Sequence, residues 1–173
     1  LTEKREFTLI VTKFGGSSMA DAGQYRKIRD IILSNPDRKV VVVSAAGKRF
    51  KNDHKLTDLL YLCYAHTQYG VDCSGIFDMI ASRYTEIRDE LGIQLDLETE
   101  FAQLKKKVDA KKVTQDELVS RGEYFSAKLM AAYLGFDFID SADWVKFNFD
   151  ATVNQEATYA ALKERHTGNG AVI

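Results

Sequence analysis

Lys13-Phe14-Gly15-Gly16-Ser17-Ser18 is where residue types and spacing first suggest chemistry. A lysine, two glycines and two hydroxyls put a positive charge beside backbone that a ligand can approach closely, because glycine has no side chain to hold it off. A helix opening at this point would add free N–H groups and a partial positive charge, which together make an anion site suited to phosphate. Lys13 could then stabilise the charge on a transferring phosphoryl group. No G-x-x-x-x-G-K-S/T loop occurs in the chain, so this is not a Walker loop. The alternative is that the Gly-Gly pair is simply a turn and Lys13 a solvated strand end.

Two further places carry candidate residues. Ser44-Ala45-Ala46-Gly47 is a small-residue turn, where Ser44 could donate to a substrate carboxylate. Thr57, just beyond the polar loop from Lys48 to Lys55, could do the same. The bland alternatives are a strand end and a helix cap, with the loop a solvated one that could also act as a lid. The third place is Ser120-Arg121-Gly122-Glu123. A glycine inside a helix costs about 0.8–1 kcal/mol relative to alanine, so close packing or a ligand should require it. Glu123 beside that bared backbone would suit a substrate ammonium group, or be an ordinary surface carboxylate.

The elements that must position these residues follow from periodicity. Phe7 to Phe14 is β-branched and aromatic, hence a strand, and it runs straight into the Gly-Gly turn. Ser18 with Asp21 predicts a capping box, and a helix follows to about Ser34 with Tyr25, Ile28, Ile31 and Ile32 as its apolar stripe. Asn35-Pro36-Asp37 stops it. Val40-Val41-Val42-Val43 predicts a strand in the interior of a parallel sheet. Helices are expected over Leu56 to about Tyr69, Ile76 to about Leu91, Leu97 to about Lys111, and Gln115 to Leu134. The last has a Thr114–Glu117 capping box, a face of Leu118, Gly122, Phe125, Leu129 and Ala132, and Gly135 as its C-terminal cap. Then come a short strand over Phe136 to Ile139, a loop or edge strand over Asp140 to Ala151, a helix over Gln155 to about Arg165, and a strand from Ala171 after the turn Gly168-Asn169-Gly170. In open parallel sheets ligands lie beyond the carboxyl ends of strands, and both glycine turns occupy such ends.

Composition narrows the class. The 173 residues include 24 Lys+Arg and 25 Asp+Glu, for a net charge of −1, with 45% hydrophobic residues. This describes a core-forming domain and argues against partners held by bulk positive charge, such as nucleic acid or an acidic membrane. Apolar runs are far below the ~20 residues of a membrane span, and no signal-peptide pattern opens the chain. Cys63 and Cys73 have no further cysteine pair or nearby histidine pair to make a metal site, so they read as idle thiols in a reducing cytoplasm. His54, His66 and His166 have no sequence company that assigns them a role. Starting at Leu1 without Met and stopping on a strand, the chain reads as a piece of a longer protein.

Taken together, the K-F-G-G-S-S element at Lys13 to Ser18, the V-V-S-A turn at Val42 to Ala45 and the S-x-G-E element at Ser120 to Glu123 resemble the aspartate kinases of the amino acid kinase family. The resemblance runs from Thr8 onward. It implies a three-layer α-β-α sandwich with a mainly parallel sheet, which transfers the γ-phosphoryl group of ATP to the β-carboxylate of L-aspartate. That reaction is the first step toward lysine, threonine and methionine. It further implies that Lys13, Gly15, Gly16 and Ser17 hold the ATP phosphates, with Lys13 catalytic; that Ser44 and Thr57 bind aspartate; and that Glu123 takes its α-ammonium group. ATP would arrive as its Mg2+ complex, with no protein metal site, and the enzyme would be a cytoplasmic homo-oligomer. Thr57-Asp58 stands for the family's Thr-Asn pair across a longer loop from Gly47, and Ser17 stands where Thr is common.

The family's R-G-G-S-D segment, its T-D-V-P-G segment and its regulatory ACT domains are absent. The expectation is therefore the amino-terminal, substrate-binding part of one kinase domain, incomplete at its C-terminus and inactive by itself. Alternatives are a related kinase with another carboxylate acceptor, or a non-catalytic binding or assembly module.

Overall fold

In the computed structural model, which describes residues 8–165 and 169–173, the sheet has four parallel strands in the order β1-β2-β4-β3. They are β1 (Ile10–Phe14), β2 (Arg38–Val43), β3 (Asp137–Phe138) and β4 (Ala171–Val172). The helices are α1 (Ala22–Leu33), α2 (Leu56–Tyr69), α3 (Ser74–Leu91), α4 (Glu98–Asp109), α5 (Gln115–Val119), α6 (Arg121–Leu134), α7 (Ser141–Trp144) and α8 (Gln155–Arg165). Phe7, His166 and Gly168 lie outside the described residues. No helix among the described residues is long and apolar enough to cross a membrane.

The α/β class with a parallel sheet is as expected, and β2 occupies the predicted interior position. Successive strand residues point to opposite faces. Val41 and Val43 enter the core, whereas Val40 and Val42 are half-buried, and Val11, paired with Val40, is exposed. The core joins Tyr25, Ile28 and Ile32 of α1 to Leu60 of α2, Phe77 and Tyr84 of α3, Phe101 of α4, and Phe125 and Leu129 of α6. The Phe101 and Phe125 rings lie 4.4 Å apart between centroids. This packing fixes α4 against α6, and the Tyr84 ring, 5.5 Å from Phe125, ties α3 to them.

Five local expectations are corrected. Ser18 lies in a single 3-10 turn, Gly16–Met19, and Asp21 itself caps α1 by accepting from the Gln24 N–H at 2.9 Å. A carboxylate placed just before the apolar stripe is the better cap, so the helix starts later. The stripe buries Tyr25, Ile28 and Ile32 but leaves Ile31 exposed. The long helix predicted over Gln115 to Leu134 breaks at Ser120. There the Glu117 carbonyl, which would accept from the Arg121 N–H, instead takes the Ser120 hydroxyl at 3.0 Å and Arg121 Nε at 3.2 Å. On α6 Ala131 rather than Ala132 faces the core. Finally, Asp140 to Ala151 contains α7, capped by Asp140 accepting from the Ala142 N–H, and the Phe147–Val153 bridge. A four-residue helix is too short to show a period. The Thr114 cap on Glu117 N–H and the left-handed Gly135 after α6 stand as predicted.

Candidate functional site

The parallel register of β1 and β2 sets Lys13 beside Val42 and Phe14 beside Val43, so the two glycine turns leave the sheet side by side. The Ser44 N–H donates to the Phe14 carbonyl at 3.1 Å, and the Gly47 N–H to the Gly16 carbonyl at 2.8 Å. The glycines serve close approach. A Cβ on Gly47 would stand 2.6 Å from Gly16 C, and one on Gly16 would stand 3.1 Å from the Ala45 carbonyl oxygen. Gly47→Ala should therefore push the turns apart and destabilise the fold by about 1–3 kcal/mol, an overpacking cost. Thermal unfolding measures it, and an unchanged midpoint would show that the contact is not what requires glycine.

Lys13 is exposed, and its Nζ lies 3.6 Å from where a Gly15 Cβ would be, over the first turn. It makes no ion pair among the described residues. The Ser18 N–H closes the 3-10 turn on the Gly15 carbonyl at 2.9 Å, so the N–H groups of Gly16 and Ser17 precede the first internal donor. The expected contribution of a full helix start is not made here, because α1 begins at Ala22 and its N-terminus already faces the Asp21 carboxylate. Anion attraction at this turn depends on Lys13 and a few backbone donors.

The S-x-G-E element reaches the second turn from the other side. A Cβ on Gly122 would stand 2.7 Å from Ala45 Cβ and 3.2 Å from Leu60 Cδ1. The predicted need for a missing side chain is thus a packing need. Glu123 is exposed, and its Oε1 accepts from the Ala45 N–H at 3.3 Å. It has no ion-pair partner among the described residues, unlike a settled surface pair. The Leu56 N–H donates to the Ala46 carbonyl at 3.1 Å, which seats α2 on the same turn. Half-buried Thr57 follows in the first turn of α2 without capping it; Lys55 holds the cap position.

Glu123 lines a cleft of about 790 Å3 with Ser120, Tyr124, Ile139, Phe147 and Ile173. Lys13, Gly15, Gly16, Ser17, Ser44 and Thr57 do not line it. The three sequence elements are joined instead through Gly16 on Gly47 and Ala45 on Gly122 and Glu123. No group of three or more His, Cys, Asp or Glu among the described residues could hold a metal ion.

Sequence reasoning missed the device that holds the polar loop. Buried Asp53 accepts from Arg83 NH2 at 2.8 Å, from Arg49 Nε at 2.9 Å and from the Arg49 N–H at 3.0 Å. Arg83, 5% exposed, also donates from NH1 to the Gly47 carbonyl at 3.1 Å. Hydrogen bonds from Arg49 hold the Asp53 carboxyl far below the ordinary range, against the opposing effect of burial, with help from the Arg83 charge. Asp53 thus ties the loop down through Arg49 and Arg83, while Lys48, Lys51 and Lys55 are exposed, as the solvated reading expects. A signal existed: Arg83 falls in the apolar stripe Phe77, Ile80, Tyr84, Ile87 of α3, where a cation needs a buried carboxylate. Both cysteines are buried free thiols, and burial, then Cys73, pushes the Cys63 thiol up to about 12.

Residues 8–169 match the model of the amino acid kinase family. The chain is 34% identical over 131 residues to aspartokinase 3 of Bacillus subtilis, covering 73% of this chain and 29% of that one. It is 30% identical over 184 residues to the chloroplastic aspartokinase 3 of Arabidopsis thaliana, covering 97% of this chain and 32% of that one. The chain thus spans about a third of the length of these curated relatives. The crystal structure of Clostridium acetobutylicum aspartate kinase superposes with a TM-score of 0.91 at 40% identity, covering 96% of this chain and 38% of that one. Escherichia coli aspartokinase III, solved with lysine and aspartate, gives a TM-score of 0.75 at 23% identity over 95% of this chain and 40% of its own, a likeness of fold.

Proposed function

Because the chain belongs to the amino acid kinase family, we propose that it is the amino-terminal, substrate-binding part of an aspartate kinase. The full-length parent then transfers the γ-phosphoryl group of ATP to the β-carboxylate of L-aspartate. The observation that carries this reading is Glu123, a carboxylate without an ion-pair partner among the described residues, held by the Ala45 N–H at the rim of the cleft. An ammonium group is the chemistry it lacks. Ser44 and Thr57 are the proposed hydroxyl donors to aspartate. Lys13, Gly15, Gly16 and Ser17 are the proposed phosphate ligands, and Mg2+ comes bound to the nucleotide.

A carboxylate acceptor is already ionised near neutral pH, so no general base has to deprotonate it. A carboxylate oxygen forms the new bond to Pγ as the bond from Pγ to the β,γ-bridging oxygen breaks, and ADP leaves with that oxygen. The obstacle is the approach of two anions, worth about 4 kcal/mol for unit charges 4 Å apart at an effective dielectric constant of 20. Lys13 offsets it, and the rest is positioning.

The test is ATP-dependent formation of an acyl phosphate by the full-length parent, trapped with hydroxylamine, with aspartate compared against glutamate and carbamate. Hydroxamate from aspartate is expected, and Glu123→Gln should raise the aspartate KM about 10- to 100-fold, the range of a lost charge-assisted contact. Absence of aspartyl product with the wild type, or an unmoved KM in the variant, would defeat the assignment.

A further inference from the structure

We infer that Tyr84, remote in sequence from all three site elements, is a positioning residue that sets Glu123 against the second glycine turn. This rests on the reading of Glu123 as the ligand of the aspartate ammonium group. The Tyr84 side chain is fully buried in α3, and its hydroxyl donates to the Gly122 carbonyl at 2.6 Å. The Ser126 hydroxyl donates to the same oxygen at 3.5 Å. The phenol thus pins the residue directly before Glu123, at the point where Gly122 packs against Ala45.

That anchor matters because the direct link is weak. Ala45 N–H to Glu123 Oε1 is 3.3 Å, long for a hydrogen bond to a carboxylate, and Glu123 is otherwise exposed. Gly122 lies against Ala45, and Tyr84 holds the Gly122 carbonyl in that position. Its ring is clamped in turn by Phe101 and Phe125, with centroids 6.5 and 5.5 Å away. Burial holds the phenol well above the ordinary tyrosine value, so it remains a donor.

The test uses the full-length parent with Tyr84→Phe, Glu123→Gln, the double variant and Ser126→Ala, reading KM for aspartate and for ATP separately. Tyr84→Phe keeps the ring and removes only the hydroxyl that holds the Gly122 carbonyl. It should raise the aspartate KM about 5- to 10-fold and leave the ATP KM within about twofold, and on the Glu123→Gln background it should add less than about twofold. Ser126→Ala, which leaves the Tyr84 bond to the Gly122 carbonyl intact, should leave the aspartate KM within about twofold and so controls for general loosening of the core. Two results would overturn the inference while leaving the Glu123 assignment standing. One is an aspartate KM moved by Glu123→Gln but not by Tyr84→Phe; the other is a Tyr84→Phe effect that multiplies fully with that of Glu123→Gln or falls equally on ATP. A Glu123→Gln variant with unchanged aspartate KM would remove both together.

Discussion

Lys13→Ala in the full-length parent is expected to lower turnover about 10²- to 10³-fold, the usual loss when a preorganised group facing developing charge is removed. The aspartate KM should move by less than about threefold, because the help is largest in the transition state, where charge spreads over the transferring group. The structure makes this variant clean. Lys13 is exposed and pairs with no carboxylate among the described residues, so the folded state loses little with it. Its Nζ lies over Gly15, where the paired carbonyls and N–H groups of the two turns hold the surrounding backbone in place. Turnover falling with an unchanged unfolding midpoint would separate chemistry from stability. A variant with normal turnover and a raised aspartate KM would show instead that Lys13 binds the acceptor uniformly, and the phosphate role would fall.

Asp53→Ala is expected to be the most damaging single change to the fold. It leaves the Arg83 guanidinium buried without its carboxylate, a loss of about 3–5 kcal/mol. That is a large fraction of the ~5–15 kcal/mol that holds most domains together. The unfolding midpoint should fall by about 10 °C or more. Arg49, with a side chain about a third exposed, contributes less through its own charge. The sign of the pH dependence follows from the depressed carboxyl. Asp53 stabilises fully above the unfolded-state value of about 4, and that contribution is lost as pH falls from there toward the lower folded-state value. Asp53→Asn should accordingly show a flatter loss of stability between about pH 5 and 2 than the wild type. A steep acid limb that persists in Asp53→Asn would place the responsible carboxylate elsewhere, and an unmoved midpoint in Asp53→Ala would deny the anchor any role.

This anchor also bears on the site. Arg83 holds the Gly47 carbonyl, and Gly47 rests on Gly16, so the loop anchor is linked to the first glycine turn through a single residue. The polar loop, with its lysines and exposed Phe50, reads as solvated in isolation because nothing in its own composition betrays the buried aspartate. The helix break at Ser120 escaped notice for a similar reason. Apolar spacing continues unbroken across it, and only the capture of one carbonyl by two side chains ends α5.

What the sequence by itself determined is local. The strand–turn junctions at Lys13 to Ser18 and Val42 to Gly47, the full extent of α2 and α8, the cap at Thr114 and the left-handed glycine after α6 all follow from periodicity and turn chemistry, which act within a few residues. The motif trio likewise pointed to the family that residues 8–169 match. Only the tertiary structure decided which residues meet: Gly47 on Gly16, Gly122 on Ala45, Arg83 on Asp53, Tyr84 on Gly122. Those contacts arise when helices far apart in the chain share one core, where burial makes each polar group find a partner. A local pattern can announce that need but cannot name the partner.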